Sequence, residues 1–132
     1  MNSKNEELIR NYFKAIENAV PVDRFQHFFH PDIVQYEYPS KLNPNGKARR
    51  KEALLEDFEK GKHVISNHVY TIKSLTSDGN RVCAETGWVG TLAIPLGALK
   101  PGDTMKADFG VFFRIEQGQI IEQNNYDCIH PW

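Results

Sequence analysis

Apolar residues recur every three or four positions early in the chain and every second position later in it. Leu8, Ile9, Tyr12, Phe13, Ile16 and Val20 mark one face of a first helix, which Ser3 and Glu6 open with capping-box spacing. Val22, Phe25, Phe28 and Phe29 predict a second helix, with Asp23 near its start and Pro31 ending it. "DIVQYEYP" predicts a short strand stopped by Pro39, and "SKLNPNGK" a turn-rich loop. A third helix runs through Ala53, Leu54 and Phe58 to Gly61. From His63 onward the period becomes that of strands: "HVISNHVYTIKSL", a turn at "SDGN", "RVCAETGWVGTL", a Pro/Gly-punctuated loop, "TMKADFGVFFRI" and "IIEQNNYD". Three helices ahead of four successive antiparallel strands predict an α+β domain, with the helices packed on one face of a bent sheet.

The strand from Met105 to Ile115 fixes the inside, because Met105, Ala107, Phe109, Val111, Phe113 and Ile115 are all nonpolar. Phe112 falls on the outer face, where an aromatic suits a dimer interface. The last strand has no comparable apolar face. Gly118 favours a three-residue loop of Glu116, Gln117 and Gly118, with glycine in the left-handed conformation. Ile115 then faces Gln119, Phe113 faces Ile121, Val111 faces Gln123, Phe109 faces Asn125 and Ala107 faces Asp127. A two-residue loop would instead turn in Ile120, Glu122, Asn124 and Tyr126. Either register puts polar groups inside, where each unpaired one costs on the order of 1–3 kcal/mol. The strand therefore reads as a cavity wall whose side chains are satisfied by water or a ligand.

Composition narrows the setting. At 132 residues the chain is one domain long, residues 1–132, with an ordinary globular share of hydrophobic residues (40%) and charged residues (25%). A formal net charge of -1 gives no field for nucleic acid or an anionic membrane. The basic run "KARRK" precedes the acidic "EALLEDFEKG" and reads as a solvated helix start. Cys83 and Cys128 make no disulfide scaffold and no CxxC pair, and no apolar run reaches spanning length, so a cytoplasmic location is expected. His27 and His30, or His63 and His68, lack a metal-binding pattern such as HExxH, so no metal is expected.

"FFHPDIVQYEYP" and "FRIEQGQII", within a chain of helices followed by a meander, resemble the SnoaL-like branch of the superfamily of nuclear transport factor 2 and ketosteroid isomerase. The resemblance covers nearly the whole chain. It implies a cone-shaped α+β barrel, in which a strongly curved, mainly antiparallel sheet wraps three helices around a deep pocket, and a homodimer formed through the outer sheet. Ketosteroid isomerase chemistry needs a tyrosine on the first helix, which Tyr12 matches. It also needs a carboxylate just before the first strand's proline, where Tyr38 stands, and an inner aspartic acid, where Val111 stands. That reaction is rejected unless Glu37 turns inward. SnoaL-like cyclases use an aspartate as acid/base, and the nearest inward carboxylate of the last strand is Asp127.

These residues define an expected site. Asp127, in an apolar neighbourhood that raises a carboxyl pKa, is the expected acid/base. His68, alternating with Tyr70 and Ile72, is the expected relay or carbonyl donor. Tyr12 and Asn125 would orient the substrate, with Tyr38, Trp88, Val111 and Gln123 completing the pocket. The expected activity is cofactor-independent proton transfer, as in cyclisation, isomerisation or dehydration of an apolar, oxygenated small molecule. A noncatalytic ligand-binding or adaptor protein of the same fold is the alternative.

Overall fold

The computed structural model describes residues 3–132, Ser3 by its backbone only. Helix α1 (Ser3–Glu17) leads into a short α2 (Val22–Phe25) and a 3-10 turn (Gln26–Phe28). Strands β1 (Phe29–Glu37) and β2 (Lys47–Arg49) precede α3 (Lys51–Gly61), and β3 (Ile65–Asp78), β4 (Arg81–Leu92), β5 (Thr104–Glu116) and β6 (Gln119–Ile129) follow. The six strands form one mixed sheet in the order β2-β1-β6-β5-β4-β3. All neighbours are antiparallel except β1 and β6. Three helices therefore pack against a curved sheet that stays open between β2 and β3, the α+β cone expected, without closure into a barrel.

Helix α1 lies against β3 and β4 with Ile9, Tyr12 and Phe13 buried, as its stripe requires. The capping box expected at Ser3 rests on a side chain outside the described residues; Glu6 instead accepts a hydrogen bond from Ser77 Oγ at 2.5 Å. Two other expectations fail locally. The second helix stops at Phe25, and Phe29 already belongs to β1, so Pro31 lies within a strand rather than ending a helix. Pro31 falls in the stretch between Phe29 and Val34 where the β1–β6 ladder loses register, and a residue without an N–H is tolerated in such an irregularity. "KARRK" is not a solvated helix start throughout, because Lys47–Arg49 pairs with Gln35–Glu37 and α3 begins only at Lys51.

The last hairpin corrects both registers considered above. Gln117 and Gly118 form a two-residue turn with φ of 52° and 74°, so Glu116 pairs with Gln119. Alone, this would turn Glu122, Asn124 and Tyr126 inward. A bulge intervenes: Ile115 pairs with Ile120, but Arg114 pairs with Glu122, leaving Ile121 as the extra residue. The bulge restores the parity, and Gln123, Asn125 and Asp127 share the inner face opposite Phe113, Val111 and Phe109. Ile120, not Ile121, enters the core.

Gln117 occupies a left-handed conformation that suits Asn far better than Gln. Gln117→Asn is expected to stabilise the fold by about 0.5–1 kcal/mol, read as a higher urea midpoint with an unchanged slope. A lower midpoint would contradict the turn.

Candidate functional site

The concave side of the sheet and the helices enclose a cavity of about 420 Å³. Its apolar wall comes from Ile16, Phe25, Phe29, Leu54, Phe58 and Ile65. The polar wall comes from Tyr12 and Glu17 of α1, Gln35 and Glu37 of β1, Arg49 of β2, Asp57 of α3, His68 and Tyr70 of β3, and Asn125 of β6. Of the expected residues, Tyr12, His68 and Asn125 line this cavity. Gln123 lies one layer behind, Val111 is core, Trp88 stands behind His68, and Asp127 is beside Asn125's inner row without lining the space. Tyr38 is on the outer face, stacked on Tyr126 with ring centroids 4.3 Å apart, so it is removed from the pocket.

Tyr12 is held by packing, with five phenylalanine rings 5.3 to 6.0 Å from its own. Burial pushes its pKa up to about 12, against the hydrogen bond from Gln123. The hydroxyl therefore remains a donor. Gln123, buried on β6, donates from Nε2 to both Tyr12 Oη and Asn125 Oδ1, each at 3.1 Å. These bonds orient the network: with Tyr12 accepting, its own proton is free, and with Asn125 Oδ1 engaged, its NH2 is free. Both free donors belong to cavity-lining residues. Gln123 Oε1 has no partner among the described residues despite complete burial, a cost accepted in fixing that orientation.

Asp127 forms no side-chain hydrogen bond or ion pair among the described residues. Desolvation first, and the charge of Glu37 second, raise its pKa from 3.8 to about 6, with Arg49 opposing. Its charge in turn contributes to raising Tyr12 and Tyr70, which places it within electrostatic reach of the cavity wall. Burial lowers the His68 pKa, against the attraction of Glu17, so the ring is neutral at pH 7.

The sequence reading missed a second polar group. Arg49 donates to Asp57 Oδ2 at 2.5 Å, to Glu37 Oε1 at 2.6 Å and to Gln35 Oε1 at 3.1 Å, while Asn43 Nδ2 holds the other Glu37 oxygen at 2.6 Å. Desolvation works against the Arg49 charge, but Asp57 and Glu37 outweigh it and raise its pKa. Ile33, Gln35 and Glu37 share one face of β1, so the alternation in "DIVQYEYP" carried a signal for Glu37; nothing in three residues of β2 marked Arg49. Glu37 does turn inward, the condition set for ketosteroid isomerase chemistry. It is committed to Arg49 and Asn43, however, and Val111 is buried core at 3% exposure, so the third group of that reaction is missing. Among the described residues no three His, Cys, Asp or Glu converge as a metal site.

The sequence profile of the SnoaL-like domain matches residues 9–123. The chain belongs to the SnoaL-like family. Solved structures similar to this SnoaL-like chain include AclR, a proposed hydroxylase from Streptomyces galilaeus, at 15% identity and TM-score 0.80, covering 99% of this chain and 83% of that one. IdmH, a proposed polyketide cyclase from Streptomyces antibioticus, is similar at 18% identity and TM-score 0.77, covering 93% and 91%. An LEH-like epoxide hydrolase of M. tuberculosis is similar at 13% identity and TM-score 0.74, covering 95% and 83%. At such identities these likenesses speak for the fold. No curated protein sequence matches the chain.

Proposed function

We propose that this SnoaL-like protein is a cofactor-independent acid/base enzyme acting on a neutral, largely apolar molecule that carries a carbonyl oxygen. The observation that carries this reading is the donor pair Tyr12 Oη and Asn125 Nδ2, aligned by Gln123 on the wall of a cavity whose other side is apolar. Donors held in place before reaction stabilise an oxygen that gains negative charge, and their orientation is already fixed by the fold. Asp127, with a pKa of about 6, would take a proton from the carbon next to that carbonyl and return it elsewhere on the substrate. The substrate's electrons would move onto the oxygen held by Tyr12 and Asn125, giving an enolate that then cyclises, isomerises or eliminates. Glu17, Glu37 and Asp57 outnumber Arg49 and Lys62 around the cavity, which disfavours an anionic substrate. A polyketide-like ketone fits these requirements, in keeping with the polyketide cyclase activity proposed for IdmH. The reading carries a homodimer as well, formed through the outer-face aromatics Phe112 and Tyr126, 48% and 42% exposed.

A second reading, ligand binding without turnover, is favoured by the position of Asp127 outside the cavity lining. One experiment separates the two. Neutral cyclic and aromatic β-dicarbonyl compounds are incubated with the protein in deuterated buffer and followed by NMR. Enzyme-dependent deuterium uptake at the activated carbon, lost in Tyr12→Phe, is the expected result. Saturable binding without exchange above the buffer rate would establish the second reading instead.

A further inference from the structure

Strands β3 and β4 set His68 directly opposite Gly90, with Trp88 opposite Tyr70. Trp88 and Gly90 are two apart on β4 and so share a face. The Trp88 indole does not stand upright at its own position. It leans along the strand over Gly90, where an added Cβ would lie 2.2 Å from Cζ2 and 2.5 Å from Cη2 of the ring. Only a glycine leaves that space. Lying there, the indole reaches across the ladder, and its Nε1–H donates to His68 Nδ1 at 3.0 Å. Trp88 is 7% exposed and packed against Leu92, Met105 and Ala107, so the donor has little freedom to move away.

An indole N–H can only donate, and an imidazole nitrogen that accepts cannot carry a proton. We infer that Trp88, seated by Gly90, is a positioning residue that locks His68 in its Nε2-protonated tautomer, so that the ring presents a hydrogen-bond donor and not a base to the cavity. The sequence left His68 as either a proton relay or a carbonyl donor; the indole bond decides for the donor. A relay needs one ring nitrogen to accept a proton while the other gives one, and here the accepting nitrogen is already occupied by an indole N–H that does not give up its proton. Neutrality of the ring at pH 7 follows from its desolvation and keeps this arrangement in place. In the reaction proposed above, on which this consequence rests, His68 adds a third donor to Tyr12 and Asn125. The substrate would therefore present an acceptor oxygen on the β3 side of the cavity, such as a second carbonyl or an ether, in preference to a hydroxyl.

The tautomer is read directly by long-range proton–nitrogen correlation NMR on nitrogen-15-labelled protein near pH 7, without substrate, so its outcome is independent of whether the acid/base reading holds. In the wild type His68 is expected to show a protonated Nε2 and an unprotonated Nδ1, with the Trp88 indole proton shifted downfield relative to that of Trp132. In Gly90→Ala, where the indole must move off the strand, the His68 nitrogens are expected to average towards a tautomer mixture while the spectrum stays dispersed. Trp88→Phe, which keeps an aromatic ring but removes the N–H, should give the same averaging. A wild-type His68 protonated at Nδ1, or a His68 signal unchanged in folded Trp88→Phe, overturns the inference.

Discussion

Asp127→Asn is expected to abolish turnover and, at the same time, to make the folded protein more stable at neutral pH. The two effects have one origin. The Asp127 carboxyl titrates near 6 in the folded chain and near 3.8 when unfolded, so between those values the folded state holds more protons than the unfolded state. Stability then falls as pH rises through that window. The penalty is absent below about pH 4 and fully present above about pH 6. The difference between those two values corresponds to at most about 3 kcal/mol. Partial contact with solvent reduces this to roughly 1–2 kcal/mol. Asparagine has the same shape and no charge, so urea unfolding of Asp127→Asn should show a gain of that size at pH 7 and almost none at pH 4. For turnover, kcat/KM of the wild type should fall on the acid side with a midpoint near 6, as the base is lost by protonation. A variant less stable than wild type at pH 7 would mean that the carboxylate has a native partner, and the assignment of Asp127 as a strained acid/base would fall.

How far the sequence foretold this site depends on which physical signal each residue leaves. The inner face of β5 was readable because Met105, Val111 and Phe113 must all avoid water, and hydrophobic alternation records that demand directly. The polar row Gln123, Asn125 and Asp127 was placed inward by an argument from turn length, and the turn is in fact of the other length. A bulge at Ile121 cancels the difference. A bulge leaves no composition signature in "QIIEQ", so the expected three-residue turn gives the right face but shifts the partners of Gln123, Asn125 and Asp127 by one pair. The Arg49 group was invisible for another reason. Its order comes from a three-residue strand that exists only because β1 offers an edge and α3 offers Asp57, and neither condition can be read from "KARRK" itself. Tyr38 failed as a pocket residue by strand parity: Glu37 is inward, so its neighbour is outward. Trp88 was visible as a large residue on the inner face, but its reach to His68 depends on an absent side chain at Gly90.

Arg49→Met tests how the second polar group supports the first. Met keeps much of the aliphatic volume but removes the cation that bonds Gln35, Glu37 and Asp57 together. Glu37 then has no counter-ion and Asp57 keeps only Lys47, 3.4 Å away, in a site where the Arg49 side chain is 10% exposed and that of Glu37 is 18% exposed. Breaking one side of such a buried pair costs about 3–5 kcal/mol, reduced here to roughly 2–4 because Asp57 is more open to solvent. The pH dependence has a definite sign. Asp57 is held below its ordinary value, with desolvation opposing and Arg49 prevailing, so the stability it contributes is present above that value and lost as pH falls through the folded one. The difference between wild type and Arg49→Met should therefore shrink on acidification as the carboxylates become neutral in both proteins. Arg49 also holds Asp127 down, so its removal should move the acid limb of kcat/KM above 6. Adding Glu37→Gln to Arg49→Met removes both the stranded charge and the repulsion it exerts on Asp127. The double variant should regain stability relative to Arg49→Met and return the acid limb towards or below its wild-type position. If the limb stays where it is in all three proteins, Asp127 does not sense this group, and the ionisation that controls turnover belongs to another residue.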